Sequence, residues 1–171
     1  MGIAQDLGKM TNSVDSKSII THDFPAWRDK SDFIIGVDLS KFGAGDLVSW
    51  EQIWARKLRE DIFEVCCIPF FAYGIALGDH VRTQKEGEND FMIKEVVKKN
   101  GHIPYRVWFE SAEDWGSVID DVRSFGCFVE SRWEKSRLIA IDAPDEDVRI
   151  RLEAYLKGLE SAGAIKCEIA V

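Results

Sequence analysis

Three histidines, four cysteines and several runs of acids are the side chains of this chain with chemistry to offer. His22, His80 and His102 lie in separate segments, with no H-x-H or H-E-x-x-H spacing to bring two imidazoles onto one metal. Asp79 and His80 are adjacent, and neighbouring side chains on a strand diverge, so His80 reads as a solvated or capping residue. Cys66, Cys67, Cys127 and Cys167 have no C-x-x-C spacing and read as small buried or half-buried hydrophobes in a reducing cytoplasm. No serine sits in a G-x-S-x-G elbow. Gly43-Ala44-Gly45 lacks the G-K-[ST] of a phosphate loop, so a plain loop is expected there. The expectation is a chain without catalytic residues, metal or cofactor.

The acids need a separate reading. Asp145-Glu146-Asp147 opens a helix, where carboxylates offset the macrodipole without any further role. Asp120-Asp121 takes the polar face of another helix, and Glu86, Glu88 and Asp90 crowd a hairpin tip. In each place a solvated acidic surface is the plain reading. Where such groups do act, attraction of a basic partner suits them better than catalysis, because their sequence contexts differ. Glu86, Glu88, Asp90, Asp120 and Asp121 are therefore the candidate partner-binding residues.

Composition bounds the partner. The 171 residues carry 30 acidic and 22 basic side chains, a formal charge of −8, and the pI is about 4.9. That balance argues against direct nucleic-acid binding, which needs a basic footprint. No run approaches the ~20 apolar residues that span a bilayer. Residues 1–21 have no apolar signal core, and Asp6 stands where N-myristoylation wants Ser or Thr, so a tail on a cytoplasmic protein is expected.

The elements that must position these residues divide near Asn100-Gly101. Phe33 to Val37, Val48 to Leu58, Ile62 to Ile68, His80 to Gln84 and Phe91 to Val97 read as short strands with glycines at the corners. Together they suggest a small SH3-like or OB-like β-barrel over residues 31–100, after a lead-in of residues 1–30. Beyond it the pattern reads strand (Pro104 to Glu110), helix (from Ser111), hairpin (Cys127 to Trp133 and Arg137 to Ala143), helix (from Pro144) and strand (Ala164 to Val171). This βαββαβ order over residues 101–171 is the ferredoxin-like unit. The fold class is thus α+β, with Trp108 and Trp133 expected where the sheet packs on the barrel. An RNA-recognition role for that sheet fails. Leu138 to Ala143 has no aromatic to stack a base, and residues 101–171 hold nine basic against 14 acidic side chains. A regulatory amino-acid-binding module would want a glycine where the first strand meets its helix, and Ser111-Ala112-Glu113-Asp114 offers none.

Several stretches carry a resemblance. Ala26-Trp27-Arg28-Asp29-Lys30-Ser31-Asp32-Phe33, Trp50-Glu51-Gln52-Ile53-Trp54-Ala55 and the string from Phe63 to Val81 resemble a bacterial domain-of-unknown-function family, the one numbered 4265. The most specific part is I-P-F-F-x-x-x-x-A-x-G-D-x-V, from Ile68 to Val81. Arg106-Val107-Trp108-Phe109 and Ala143-Pro144-Asp145-Glu146 extend it. The resemblance brings no activity, substrate or catalytic residue. Physically, Pro69 ends a strand, Phe70 and Phe71 plug the barrel or its junction, and Gly78-Asp79 makes a tight turn.

The function expected on these grounds is a non-enzymatic binding protein. Its leading form is a bacterial immunity protein that neutralises a basic, nucleic-acid-attacking toxin by occluding its active site. The alternative is a small-ligand sensor using a crevice between the two halves.

Overall fold

The barrel strands follow from period-two alternation. In a computed structural model, which describes residues 19–43, 50–132 and 134–171, β2 (Phe33–Asp38) and β3 (Trp50–Arg59) send Ile35, Val37, Ile53 and Ala55 inward. Ile34, Gly36, Trp50, Gln52 and Trp54 take the outward parity and stay partly wet. Glu60-Asp61 turns β3 into β4 (Ile62–Val65), and β5 (His80–Glu86) and β6 (Asn89–Lys98) form the next hairpin. With β1 (Ile19–Ile20) at one edge, the sheet order is β1-β3-β2-β6-β5-β4, and β3 also pairs β4, so five strands close into a barrel. Phe63, Val65, Val81 and Ile93 complete its core.

β1 (Ile19–Ile20) pairs parallel to β3 on the outside of this barrel. This strand lies within the expected lead-in of residues 1–30. Ile20 and His22 are buried, so the fold already includes the chain at Ile19, while residues 1–18 of the expected tail lie outside the described residues. A short helix, α1 (Leu39–Phe42), also went unforeseen; Asp38 caps it by accepting from the Ser40 N–H at 2.9 Å. Residues 44–46 of the expected Gly43–Asp46 loop are outside the described residues, as is Trp133.

The second sheet runs β10-β7-β9-β8, antiparallel throughout, from β7 (Ile103–Phe109), β8 (Phe128–Ser131), β9 (Leu138–Ala143) and β10 (Ile165–Ile169). α2 (Trp115–Ser124) joins β7 to β8, and α3 (Glu146–Ser161) joins β9 to β10. Local chemistry sets both helices. Ser111 caps a one-turn lead into α2, and Asp145 accepts the Val148 N–H at 2.9 Å to start α3. Gly126 and Gly163 follow the two helix ends at φ +97° and +74°, the left-handed position where a side chain is strained. One face of the sheet (Tyr105, Val107, Phe109, Ile139, Ile141) buries the stripes Val118, Ile119, Val122 and Val148, Leu152, Leu156. Each fully buried aliphatic of this kind contributes roughly 1.5–3 kcal/mol.

The other face meets the barrel. Leu138, Ala140 and Trp108 pack against Ile68, Phe70 and Leu77, and Phe71 touches both this layer and the barrel core. These apolar side chains pack where the second sheet meets the barrel. The architecture is a mixed α/β one: a closed five-stranded barrel, a second sheet and few helices.

Candidate functional site

An open concavity lies on the barrel wall. β2 and β6 run parallel there, and their register pair is Gly36–Met92. Gly36 matters because the Met92 Sδ rests 2.6 Å from where a Cβ would project, so any side chain at 36 would have to displace the thioether. Above that floor a groove of about 520 Å³ opens, walled by Ile19, Ile34, Trp50 and Phe91 and rimmed by Glu88 and Asp90. Ile19 and Ile34 are 55% and 44% exposed, apolar surface left wet.

The candidate acids divide by what they touch. Glu86 accepts from the Lys41 Nζ at 2.8 Å and from the Gln84 Nε2 at 3.0 Å, and the lysine holds its carboxyl below the usual range. Asp90 pairs with Lys85 at 3.2 Å. Glu88, beside Gly87 in the hairpin turn, has no hydrogen bond or ion pair among the described residues. The other two candidates sit on α2, against the second sheet. Asp121 accepts from the Tyr155 hydroxyl at 2.7 Å and so ties α2 to α3, while Asp120 is exposed. The five residues thus form two separate groups, and Glu88 and Asp90 of the hairpin group border the groove.

A second polar assembly, wholly buried, supports the groove from behind. His22 lies between two carboxylates: its Nδ1 is 2.7 Å from Glu130 Oε2 of β8, and its Nε2 is 3.0 Å from Glu51 Oε1 of β3. Phe70 stacks on the ring at 4.5 Å, and the Trp54 indole N–H donates to the His22 carbonyl at 2.9 Å. Glu51 also accepts the N–H groups of Phe70, Phe71 and Ala72 at 2.5, 3.1 and 3.0 Å. Glu130 accepts those of Ala26 and Ile68 at 2.8 and 2.7 Å. The Ile68–Ala72 string therefore threads the interior as irregular backbone because two carboxylates satisfy its donors.

Burial by itself would strip the proton from His22. The facing Cys67, Glu130 and Glu51 outweigh it and hold the imidazole pKa well above its ordinary value. Burial pushes the Cys67 thiol up, so at neutral pH the thiol is uncharged and the two carboxylates supply the attraction. For Glu51, burial works against ionisation, but His22 and the loop N–H groups prevail and lower its pKa.

Two further buried acids hold turns. Asp79 accepts from the N–H groups of Ala76 and Asn100 at 3.0 and 2.8 Å and from the Lys99 Nζ at 3.2 Å. His80, half-buried, stands 3.9 Å from Glu64. Gly78, at φ +81°, makes the turn before it. Asp142 meets the His102 Nδ1 at 2.5 Å; burial lifts its pKa to about 6, and its Oδ1 has no partner. Cys66, Cys67 and Cys127 are buried and Cys167 half-buried, all as free thiols. Among the described residues no three His, Cys, Asp or Glu side chains converge as a metal site would require, and no helix is long and apolar enough to cross a membrane.

Sequence reasoning missed His22, Glu51 and Glu130, and one signal could have flagged the second. Glu51 has the inward parity of Ile53 and Ala55, an odd place for a carboxylate unless donors await it. The family model for the domain of unknown function DUF4265 matches residues 51–167, from this glutamate onward. The chain belongs to the DUF4265 family. The range matched by the DUF4265 model takes in both the buried acid and the loop whose N–H groups it accepts. No curated protein matches the chain. Its fold is similar to the "Novel crystal structure of a hypothetical protein from Neisseria gonorrhoeae", with TM-score 0.66 and 16% identity, covering 80% of this chain and 92% of that one. At that identity the likeness describes this DUF4265 chain's fold alone.

Proposed function

We propose that this DUF4265 protein is a non-enzymatic, cytoplasmic binding protein whose partner is a basic protein. Its barrel is read as SH3-like or OB-like (residues 31–100) and its second unit as ferredoxin-like (101–171). The leading form is an immunity protein that occludes the active site of a toxin acting on nucleic acid. The observation that carries this reading is the groove on the barrel wall, with wet apolar walls and a rim bearing Asp90 and Glu88, which has no partner among the described residues. An apolar patch ringed by polar groups is the usual form of a protein-docking surface, and acids at its rim speed the approach of a basic partner.

The test is co-expression with the product of the adjacent gene. A complex that protects cells from that product, and that E88K/D90K weakens with a slower association rate, supports the proposal. Absence of both complex and protection refutes the immunity form. A second reading is a small-ligand sensor that uses the crevice between the two halves. A ligand that raises the melting temperature with no protein partner would favour it.

A further inference from the structure

We infer that the groove takes one apolar side chain of the partner with a lysine or arginine directly beside it. The inference rests on the proposed reading of this face as a partner-binding surface and adds the chemistry of the anchor.

The floor supplies the first part. Because Gly36 has no side chain, the Met92 thioether lies across the barrel wall, 2.6 Å from the missing Cβ position. Thioethers are unbranched and polarizable, and they reshape around a hydrophobic guest at low cost. The walls supply the second. Ile19 and Ile34 come from strands on either side of β3, and both keep roughly half their surface in water. A guest side chain between them would be dehydrated on several sides at once, the arrangement of a hot-spot pocket.

The rim fixes the charge. Lys41 occupies Glu86, and Lys85 sits on Asp90, but Glu88 has no partner among the described residues and can receive a cation, and Asp90 is exposed enough to share one. A guest flanked by carboxylates would instead meet like charge. The anchor is thus apolar and its neighbour basic.

Three capped peptides test this on the full chain labelled at the methionine methyls: Gly-Lys-Leu-Lys-Gly, Gly-Lys-Gly-Lys-Gly and Gly-Glu-Leu-Glu-Gly. The readouts are the Met92 methyl signal, assigned with Met92→Leu, and the Gly36 amide. The Lys-Leu-Lys peptide is expected to shift both saturably at millimolar concentration. Loss of the leucine should weaken binding at least about tenfold, and the acidic peptide should leave both signals in place. Glu88→Gln should weaken the first peptide about fivefold without changing the melting temperature, since the residue is exposed and has no partner among the described residues. Ile34→Ser should weaken it as well and, being on the surface, keeps the test clear of the refolding that Gly36→Val would risk.

Unmoved Met92 and Gly36 signals with the first peptide, or equal binding of the leucine-free one, overturn the inference. The two readings fail separately. A natural partner that binds while Ile34→Ser and Glu88→Gln leave its affinity unchanged sinks the anchor and spares the partner. Peptide binding with no protective complex does the reverse.

Discussion

Glu51→Gln should cost the fold about 3–5 kcal/mol, the usual penalty for removing one member of a buried ion pair. The geometry shows why the isosteric change is severe. Glu51 serves four donors, the Phe70, Phe71 and Ala72 N–H groups and the His22 ring, within 3.1 Å. A glutamine keeps one acceptor oxygen and turns the other position into an NH₂ that faces donors. At least one buried N–H then loses its acceptor, at about 1–3 kcal/mol, and the imidazolium loses half of its compensation. These costs overlap, so the single pair-breaking figure is the one to use. Against a typical stability of about 5–15 kcal/mol the variant still folds, but with a narrow margin. With a urea m-value of about 2 kcal/mol per molar, the midpoint should fall by roughly 1.5–2.5 M.

Indole fluorescence reads the transition, since Trp54 donates to the His22 carbonyl. The penalty should also depend on pH. Glu51 has a lowered folded pKa, so its contribution is present above the ordinary carboxylate value and is lost as pH falls through the folded value. His22 has a raised one, so its contribution is full below the ordinary imidazole value and is lost as pH rises through the folded value. The window of full effect lies between the ordinary carboxylate and the ordinary imidazole values, and at neutral pH the His22 contribution has only begun to decline. A Glu51→Gln protein within 1 kcal/mol of the parent at pH 7, with an unchanged m-value, would refute the reasoning.

Gly78→Ala should destabilise by about 2 kcal/mol or more, because φ is +81° and the new Cβ would fall 2.3 Å from the Asn100 Nδ2, a clash visible in a urea melt. Asp145→Ala removes the cap on the Val148 N–H and should cost about 1 kcal/mol, a drop of roughly 2–4 °C in melting temperature by calorimetry. Asp142→Asn tests the lifted carboxyl. A folded pKa raised to about 6 means the native state takes up a proton that the unfolded state does not. The parent should therefore gain on the order of 1 kcal/mol over the variant between pH 7.5 and 5, and a difference constant with pH would contradict it.

What was legible in the chain follows the range of the physics involved. The stripes of α2 and α3, their caps at Ser111 and Asp145, and the alternation that gives β7 and β9 two apolar faces are all decided within a few residues. The hairpin tip was legible for the same reason. His22 meets Glu130 across 108 residues, and nothing near either residue announces the other. The groove was equally hidden, because it depends on Gly36 meeting Met92 in a parallel pairing that no local turn dictates. The candidate acids were found as acids, but whether Lys41, Lys85 or Tyr155 already occupied them was a matter of tertiary contact.

The same distinction changes what the net charge can mean. Four carboxylates, Glu51, Asp79, Glu130 and Asp142, are buried and answer to backbone N–H groups, a lysine or histidines. They enter the formal −8 but contribute little to the field an approaching partner meets, because their internal partners compensate them. Steering must therefore come from exposed acids, and among the candidates Glu88, Asp120 and Asp121 have no neutralising cation among the described residues. If the groove is the docking face, the association rate should fall steeply with added salt, and Glu88→Gln should flatten that dependence. Asp120→Asn, on the far sheet's helix, should change it little. Equal flattening by both substitutions would mean that the partner responds to the whole surface and not to the groove.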